Sequence, residues 1–252
     1  MSASTNSYQH TPFEKEHTPT SRPIWREALV GLEWLALHLS PVYYGQGVPH
    51  GDQSAVVVVP GFLATDHYLF ELRDWLRRIG YRPYFSQIGW NAACPNILVE
   101  RLAQTIARAR AETEGKVHLI GHSLGGLLAR AAATLQPDSV ASLITLAAPF
   151  RGLRSHPLLL NMAELVRAFI LNRPQPDCYT GHCQCPAVAS LLQPFPPTIK
   201  QTAIFTKSDG IVDWQVCVHE DPAHNFEVAA THVGLAFSAD AYRVIARSLA
   251  ER

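Results

Sequence analysis

Residues 116–126 read KVHLIGHSLGG and contain the pattern G-x-S-x-G over 121–125. The alternating, β-branched residues before the pattern predict a buried strand over 116–120. The run Leu124–Leu135 is rich in Leu and Ala and lacks proline, which predicts a helix. A serine at such a strand-to-helix turn is held in a tight backbone conformation, and we expect its hydroxyl to be exposed. The stretch therefore predicts that Ser123 is a nucleophile.

Strand and helix signals alternate along the rest of the chain, which predicts an α/β fold with a mostly parallel, doubly wound sheet and helices on both faces. Ala55–Val59 is a continuous apolar run, as in a strand that is buried on both faces. Further strands are predicted at 81–86, 140–147, 201–206 and 225–229. Further helices are predicted at 68–79, 97–112 and 239–250. The length of 252 residues suits one domain, which we assign to residues 23–252.

The first part of the chain differs from this pattern. Residues 1–22 are polar and resemble a disordered leader without a signal-peptide core. The segment 23–39 has apolar residues at helical spacing, interrupted by charged ones, and is predicted to be a helix packed on the domain. The alternative is an interfacial membrane helix, which the scarcity of Lys and Arg disfavours. A cytoplasmic location is expected, with export left open by the cysteines.

The charge balance is even, with 21 basic and 21 acidic residues. This balance gives no electrostatic reason to expect capture of nucleic acid or of an anionic membrane.

Residues 151–200 break the alternation of strands and helices. They hold seven of the 18 prolines and an apolar helix candidate at 158–171. Long insertions of this kind are usually functional, so a lid or cap is predicted. The alternative is an irregular surface excursion.

Four of the five cysteines lie in the second half of the chain, at Cys178, Cys183, Cys185 and Cys217. They can form disulfides, remain thiols, or bind zinc together with His182 or His219. The spacing matches neither common zinc pattern, so we favour disulfides or an inert thiol cluster and expect no metal or organic cofactor.

A serine nucleophile needs a base to take its proton and an acid to orient that base. His232 follows the last predicted strand and precedes the last helix, so its loop can reach the edge of the sheet where Ser123 should lie. Asp209 follows the strand 201–206 directly and is the predicted acid. Asp213 is the alternative acid, although it better suits a helix or turn cap.

The transition state of acyl transfer carries negative charge on the carbonyl oxygen, which backbone N–H groups must stabilise. One donor is predicted at Leu124, directly after the nucleophile. The other is predicted at Phe62, in the loop that follows the strand 55–59. The alternative for this loop is an ordinary Pro-Gly turn.

These motifs together resemble the α/β-hydrolase superfamily, and in particular its lipase-like bacterial branch. The resemblance rests on PGFL at 60–63, GHSLGG at 121–126, SDGIVD at 208–213 and THVG at 231–234. It implies an α/β-hydrolase fold with Ser123 as nucleophile, Asp209 as acid and His232 as base. Pro60 stands where that family often has a histidine, and the predicted role of the loop is retained because its backbone supplies the donor.

The function predicted from these residues is hydrolysis of lipophilic carboxylic esters through an acyl-enzyme. The predicted walls of the acyl pocket are Leu63, Phe150, Val212, Trp214 and Val233. A thioesterase, a polyester depolymerase, an acyltransferase and a non-catalytic binding protein of the same fold are alternatives. The expected partner is a small or lipid-like ester, with transient contact to a lipid or polymer surface as a further hypothesis.

Overall fold

The computed structural model describes residues 23–152, 156–169 and 185–251. These residues form a six-stranded sheet in the order β2-β1-β3-β4-β5-β6, and all of its strand pairs are parallel. The strands are β1 (Ala55–Val59), β2 (Arg82–Phe85), β3 (Val117–His122), β4 (Val140–Leu146), β5 (Lys200–Phe205) and β6 (Asn225–Glu227). The helices are α1 (Val30–Leu39), α2 (Phe70–Arg78), α3 (Pro95–Thr113), α4 (Leu124–Leu135), α5 (Pro157–Phe169), α6 (Pro186–Leu191) and α7 (Ala239–Ala250).

The predicted fold class is confirmed, and most predicted boundaries lie within a few residues of the observed ones. The nucleophile strand β3 continues two residues beyond its predicted end, to His122. The last strand β6 ends at Glu227, earlier than predicted. The helix predicted over 68–79 starts as a 3₁₀ turn, Asp66–Leu69, before α2 begins.

Two apolar cores lie on opposite faces of the sheet, because successive side chains of a strand point to opposite sides. In β1, Val56 and Val58 belong to the core beneath α2 and α7, whereas Val57 and Val59 belong to the core beneath α3 and α4. The continuous apolar run of β1 therefore reflects burial on both faces.

The strand order brings the ends of β1 and β3 together. The chain runs outward from β1 to β2 and then returns to the other side of β1 to form β3. Ligands of open α/β sheets bind at the carboxyl ends of the strands where the order reverses in this way. The loop after β1 and Ser123 after β3 thus lie side by side at that edge.

The N-terminal segment packs on the domain, but its apolar pattern faces outward. Ile24–Leu29 is a 3₁₀ helix and α1 follows it directly, so the prediction of a helix is confirmed for the second part of the segment. The residues that gave the apolar spacing are nevertheless exposed, from 43% for Leu29 to 76% for Leu39. The segment is attached to the domain by the buried Leu37 and by its carboxylates, because Glu27 and Glu33 accept N–H groups from the loops after β5 and β6.

The interval 151–200 contributes two described helices to the structure. Helix α6 packs against α3 and α4, and Ala187 and Leu191 join the core beneath them. This end of the interval is thus part of the body of the domain, and the predicted lid depends on α5. In the described ranges, the structure contains no helix with the length and apolarity needed to cross a membrane.

Candidate active site

Ser123 lies at the turn from β3 to α4 in a backbone conformation that L-residues rarely adopt, with φ +52° and ψ −125°. Its N–H donates to the carbonyl of Leu146 at the end of β4, 2.8 Å away. Its carbonyl accepts the N–H of Gly126 at 2.9 Å. These bonds hold the strained turn in place, and such strain is concentrated at functional sites.

The glycines around Ser123 allow this turn to pack closely against its neighbours. A Cβ at Gly125 would overlap the carbonyl oxygens of Val59 and Pro60 at the end of β1. A Cβ at Gly121 would overlap Gly126, the second glycine after the serine. The pattern GHSLGG is therefore required by the contact between β3, α4 and β1.

Asp209 and His232 form a buried ion pair at the same edge of the sheet. Asp209 Oδ2 lies 2.7 Å from His232 Nδ1, and the two residues are 2% and 3% exposed. Asp209 Oδ1 accepts the N–H groups of Ile211 and Val212 at 2.8 and 2.7 Å. These two bonds orient the carboxylate so that its other oxygen faces the imidazole. With Nδ1 bonded to Asp209, Nε2 is the nitrogen of His232 that can accept a proton.

His122 contacts the His232 loop from the nucleophile strand. Its Nε2 donates to the backbone carbonyl of His232 at 2.9 Å, and the two imidazole rings lie 4.9 Å apart between centroids. Tyr68 packs on the other side of His122 and donates its hydroxyl to the carbonyl of Val233 at 2.8 Å. The His232 loop is thus held by groups from β3 and from the turn before α2.

The two histidines have opposite pKa shifts. Burial lowers the pKa of His122 to about 3, and the neighbouring His232 acts in the same direction. Burial also acts to lower the pKa of His232, but the charge and hydrogen bond of Asp209 and the charge of Glu27 outweigh it, so its pKa is raised. His122 therefore stays neutral, whereas His232 is favoured as the proton acceptor of the pair.

The structure brings Asp209 and His232 into contact but does not join Ser123 to them by a hydrogen bond. Within the described ranges, the Ser123 hydroxyl has no recorded hydrogen-bond partner, and the Ser123–His232 contact stays a prediction. Ser123 is only 7% exposed as a whole residue, and the exposure of its hydroxyl stays a prediction. Its Cβ lies against Gly61 of the loop after β1, which covers the serine from that side.

The loop after β1 is held in place by two residues that the sequence analysis did not single out. The buried Asn91 donates its side-chain amide to the carbonyl of Pro60 at 2.8 Å, and its own carbonyl accepts the N–H of Leu63 at 2.9 Å. Trp90 Nε1 donates to the carbonyl of Leu63, also at 2.8 Å. This support fixes the backbone on either side of Phe62. The roles of Phe62 and Leu124 as oxyanion donors stay predictions.

The residues predicted to line the acyl pocket divide among different surroundings. Leu63 belongs with Phe62 to an apolar cluster that includes Val166 of α5. Val212 and Trp214 lie in a separate cluster around Phe205, where the rings of Trp214 and Phe205 stack at 5.4 Å. The apolar cluster that contains Leu63 and Phe62 therefore lies beside the loop after β1.

Three other predicted residues have defined positions. The ring of Phe150 lies under the guanidinium of Arg130, 5.3 Å from the ring centroid. Val233 donates its N–H to Glu27 at 2.9 Å. Asp213 accepts the N–H of Gln215 at 3.1 Å and caps a 3₁₀ turn, which is the structural role predicted for it.

Glu27 and Glu33 are two further residues at this site that the sequence does not reveal as functional. Glu27 accepts backbone N–H groups of the Asp209 and His232 loops, and Glu33 accepts both the N–H and the hydroxyl of Thr231. The available signal was the placement of two carboxylates within an otherwise apolar helical run. The sequence shows these carboxylates only as interruptions of the apolar spacing, because their partners lie far along the chain.

The cysteine question lies largely outside the described residues, which do not include Cys178 and Cys183. Cys94 is a buried free cysteine at the start of α3. His219 accepts the N–H of Asp221 and faces the ring of His224. Within the ranges that the structure describes, no group of three or more His, Cys, Asp or Glu side chains is arranged to hold a metal ion.

Comparison with known sequences finds similarity between part of this chain and lipases. The family model described as PGAP1-like alpha/beta domain matches residues 95–176. A triacylglycerol lipase of Burkholderia plantarii is 31% identical over 133 residues, which is 49% of this chain and 37% of the lipase. A triacylglycerol lipase of Pseudarthrobacter phenanthrenivorans is 34% identical over 106 residues, which is 38% of this chain and 33% of the lipase. The matches thus span about a third of the length of these relatives.

Solved structures extend the similarity of fold to most of the chain. A structure of the metagenome-derived lipolytic enzymes LipS and LipT superposes with a TM-score of 0.57 at 16% identity, over 81% of this chain and 94% of that one. The mature form of the Bacillus licheniformis lipase BlEst2 gives a TM-score of 0.56 at 16% identity, over 81% and 96%. These structures show that the chain has their α/β-hydrolase fold, and the sequence matches show that part of it is similar to triacylglycerol lipases.

Proposed function

We propose that this protein is a serine hydrolase that cleaves carboxylic esters with lipophilic acyl groups. The observation that carries the proposal is the buried Asp209–His232 pair at the sheet edge where Ser123 occupies its strained turn. The lipase relatives support an ester as substrate, and the apolar cluster around Leu63 supports a lipophilic acyl group.

The proposed reaction has two halves. His232 takes the proton of Ser123 as Oγ attacks the ester carbonyl, and the N–H groups of Phe62 and Leu124 stabilise the oxyanion. The C–O bond to the alcohol then breaks, and the alcohol leaves with the proton from His232. Water attacks the acyl-enzyme, gives its proton to His232 and releases the acid, and the proton returns to Ser123.

A covalent probe and a series of esters test this function. We expect a fluorophosphonate to label the wild type and to leave Ser123→Ala unlabelled. Among p-nitrophenyl esters, kcat/KM should rise from acetate to medium-chain acyl groups. A labelled Ser123→Ala variant, or a wild type inactive on the whole series, would contradict the proposal. No described contact favours the thioesterase, depolymerase, acyltransferase or binding-protein alternatives.

The exposed side of the N-terminal segment supports contact with a lipid surface. Its outward side chains are apolar apart from Arg26, because Glu27 and Glu33 are directed toward the catalytic loops. Exposed patches of this kind mark interaction sites. We assign this one to the surface of a neutral lipid-ester droplet, which requires no basic face. The exposed large apolar side chains of this segment are Trp25, Leu29, Leu32, Trp34, Leu35 and Leu39.

Sedimentation with a triacylglycerol emulsion tests this contact. The combined change Trp25→Ser, Leu32→Ser and Leu39→Ser should abolish binding to the droplets and leave hydrolysis of a soluble short ester intact. The control combines serine substitutions of Leu135, Leu192 and Phe226, which are exposed elsewhere. Unchanged sedimentation would exclude the assignment. So would a dimer of the wild type that the triple variant loses, since the face would then bind a second copy.

A further inference from the structure

One carboxylate of the N-terminal segment joins the two loops that carry the acid and the base. Glu27 Oε1 accepts the N–H of Gly210 and the N–H of His232, each at 3.1 Å. Glu27 Oε2 accepts the N–H of Val233 at 2.9 Å. Gly210 directly follows Asp209, so a single side chain bonds to the backbone beside both members of the buried pair.

The loops are shaped to receive this side chain. A Cβ at Gly210 would lie 3.0 Å from Glu27 Oε1 and 3.1 Å from the carbonyl oxygen of Pro23. A Cβ at Gly234 would overlap the carboxylate of Glu33. Glycine at these two positions lets the N-terminal segment approach both loops closely. The contact is therefore built from both sides, by carboxylates on one element and by missing side chains on the other.

The Asp209 and His232 loops follow different strands, β5 and β6, and are joined directly by the hydrogen bond between the two side chains. Thr206 donates its hydroxyl to the carbonyl of Ala230, which joins the loops near their beginnings. Beyond that point, Glu27 supplies bonds to both loops at the level of the reacting groups. Hydrogen bonds to a charged acceptor are about twice as strong as neutral ones.

We propose that Glu27 is a positioning residue that fixes the His232 loop against the Asp209 loop and places a second negative charge beside His232. This inference rests on the proposed ester hydrolysis. Glu27 does not contact the substrate in this proposal and acts only through the two loops.

The charge of Glu27 has a measurable consequence because, within the described part of the chain, Asp209 and Glu27 are the carboxylates that raise the pKa of His232. Asp209 faces its ring from the β5 loop, and the neutral His122 faces it from β3. Glu33 accepts the hydroxyl of Thr231, the residue before His232. Tyr68 donates its hydroxyl to the carbonyl of Val233, the residue after it. Glu27 raises the pKa of His232 in addition to Asp209. Loss of this charge should lower that pKa and extend activity toward acid, where the neutral base would persist.

The pH profile of kcat/KM on one activated ester tests the proposal in Glu27→Gln and Glu27→Ala. We expect Glu27→Ala to lower kcat about 10- to 100-fold with little change in KM, because the loops lose their common anchor. Glu27→Gln should recover part of kcat, since its amide oxygen still accepts N–H groups. In both variants the acidic limb of the profile should move to lower pH.

Glu71→Gln is the matched control, because Glu71 also ties the N-terminal segment to the domain, through Trp34 and Tyr43, but lies away from His232. It should leave both kcat and the acidic limb unchanged. NMR titration of the His232 imidazole in a Ser123→Ala background gives a readout that needs no turnover, and Glu27→Gln should lower its pKa there.

The proposal is overturned if Glu27→Gln keeps the wild-type kcat and acidic limb, or if Glu71→Gln reproduces its effects. If Glu27→Ala does not fold, Glu27→Gln and the NMR titration still decide. An inactive wild type would contradict the proposed function instead, and an unshifted His232 titration would contradict the positioning role alone.

Discussion

His122 and His232 are neighbours in the structure, and their pKa values are shifted in opposite directions. Ser123 is held at a positive φ, and His122 just before it is buried with its Nε2 bonded to the carbonyl of His232. His232 is buried as well but faces Asp209. The same degree of burial therefore leaves His122 neutral and makes His232 a stronger base, because only His232 has a carboxylate partner on its ring.

The neutral His122 predicts a loss of stability in acid. Its pKa is lowered to about 3 in the folded state by burial, whereas the unfolded chain protonates it near 6.5. Below that pH the unfolded state binds more protons than the folded state. The free energy of unfolding therefore decreases as the pH is lowered, by up to about 1.4 kcal/mol per pH unit. His232 has a raised pKa, so near pH 6.5 its folded state binds more protons than its unfolded state and it opposes this slope. Its contribution fades as the pH is lowered further, because both states are then protonated. Urea unfolding at about pH 6.5 and about pH 5 measures the effect.

The variant His122→Asn isolates this contribution. Its free energy of unfolding should fall less than that of the wild type between the two pH values, because the imidazole that titrates only on unfolding has been removed. The other histidines remain in both proteins and cancel in the comparison. Equal pH dependence of the free energy of unfolding in the two proteins would show that His122 does not cause the loss of stability in acid.

At the scale of elements, the contact of α4 with the end of β1 is as close as backbone allows. Gly125→Ala would place a methyl group on the carbonyl oxygens of Val59 and Pro60, which cannot move without distorting β1. We expect a loss of about 1–3 kcal/mol in the free energy of unfolding, measured in urea, together with reduced labelling of Ser123.

Gly31→Ala is the control for this substitution. Gly31 lies in α1 with nothing within 4 Å of an added Cβ. Alanine is favoured over glycine inside a helix, so this variant should gain about 0.5–1 kcal/mol. A Gly125→Ala variant as stable as the wild type would mean that α4 and β1 are not in close contact.

The elements also show what local sequence can and cannot predict. Ala55–Val59, Leu124–Leu135 and Ala239–Ala250 were predicted with the bounds observed, because their apolar runs and helix formers are local signals. The orientation of the N-terminal segment was not predictable in this way. Glu27 and Glu33 meet N–H groups about 200 positions further along the chain, and no local pattern indicates such partners.

At the scale of the molecule, the parallel sheet explains why distant segments meet. Each of β1, β3, β5 and β6 ends at the same edge, so the loops that follow them carry the predicted oxyanion donor, nucleophile, acid and base. The motifs predicted this convergence because their order follows the strands. The sequence could not predict that Ser123 is only 7% exposed, because this burial depends on the packing of Gly61 against its side chain. The cytoplasmic location, the lid and the cysteine chemistry stay predictions.

The most direct test of the whole account is kcat/KM of Asp209→Asn beside Asp213→Asn on one activated ester. Both substitutions keep the size of the side chain and remove its charge. If Asp209 orients His232 as its 2.7 Å contact indicates, Asp209→Asn should lose roughly 10³- to 10⁴-fold, and Asp213→Asn should stay near wild type. A nearly active Asp209→Asn together with an inactive Asp213→Asn would contradict the account.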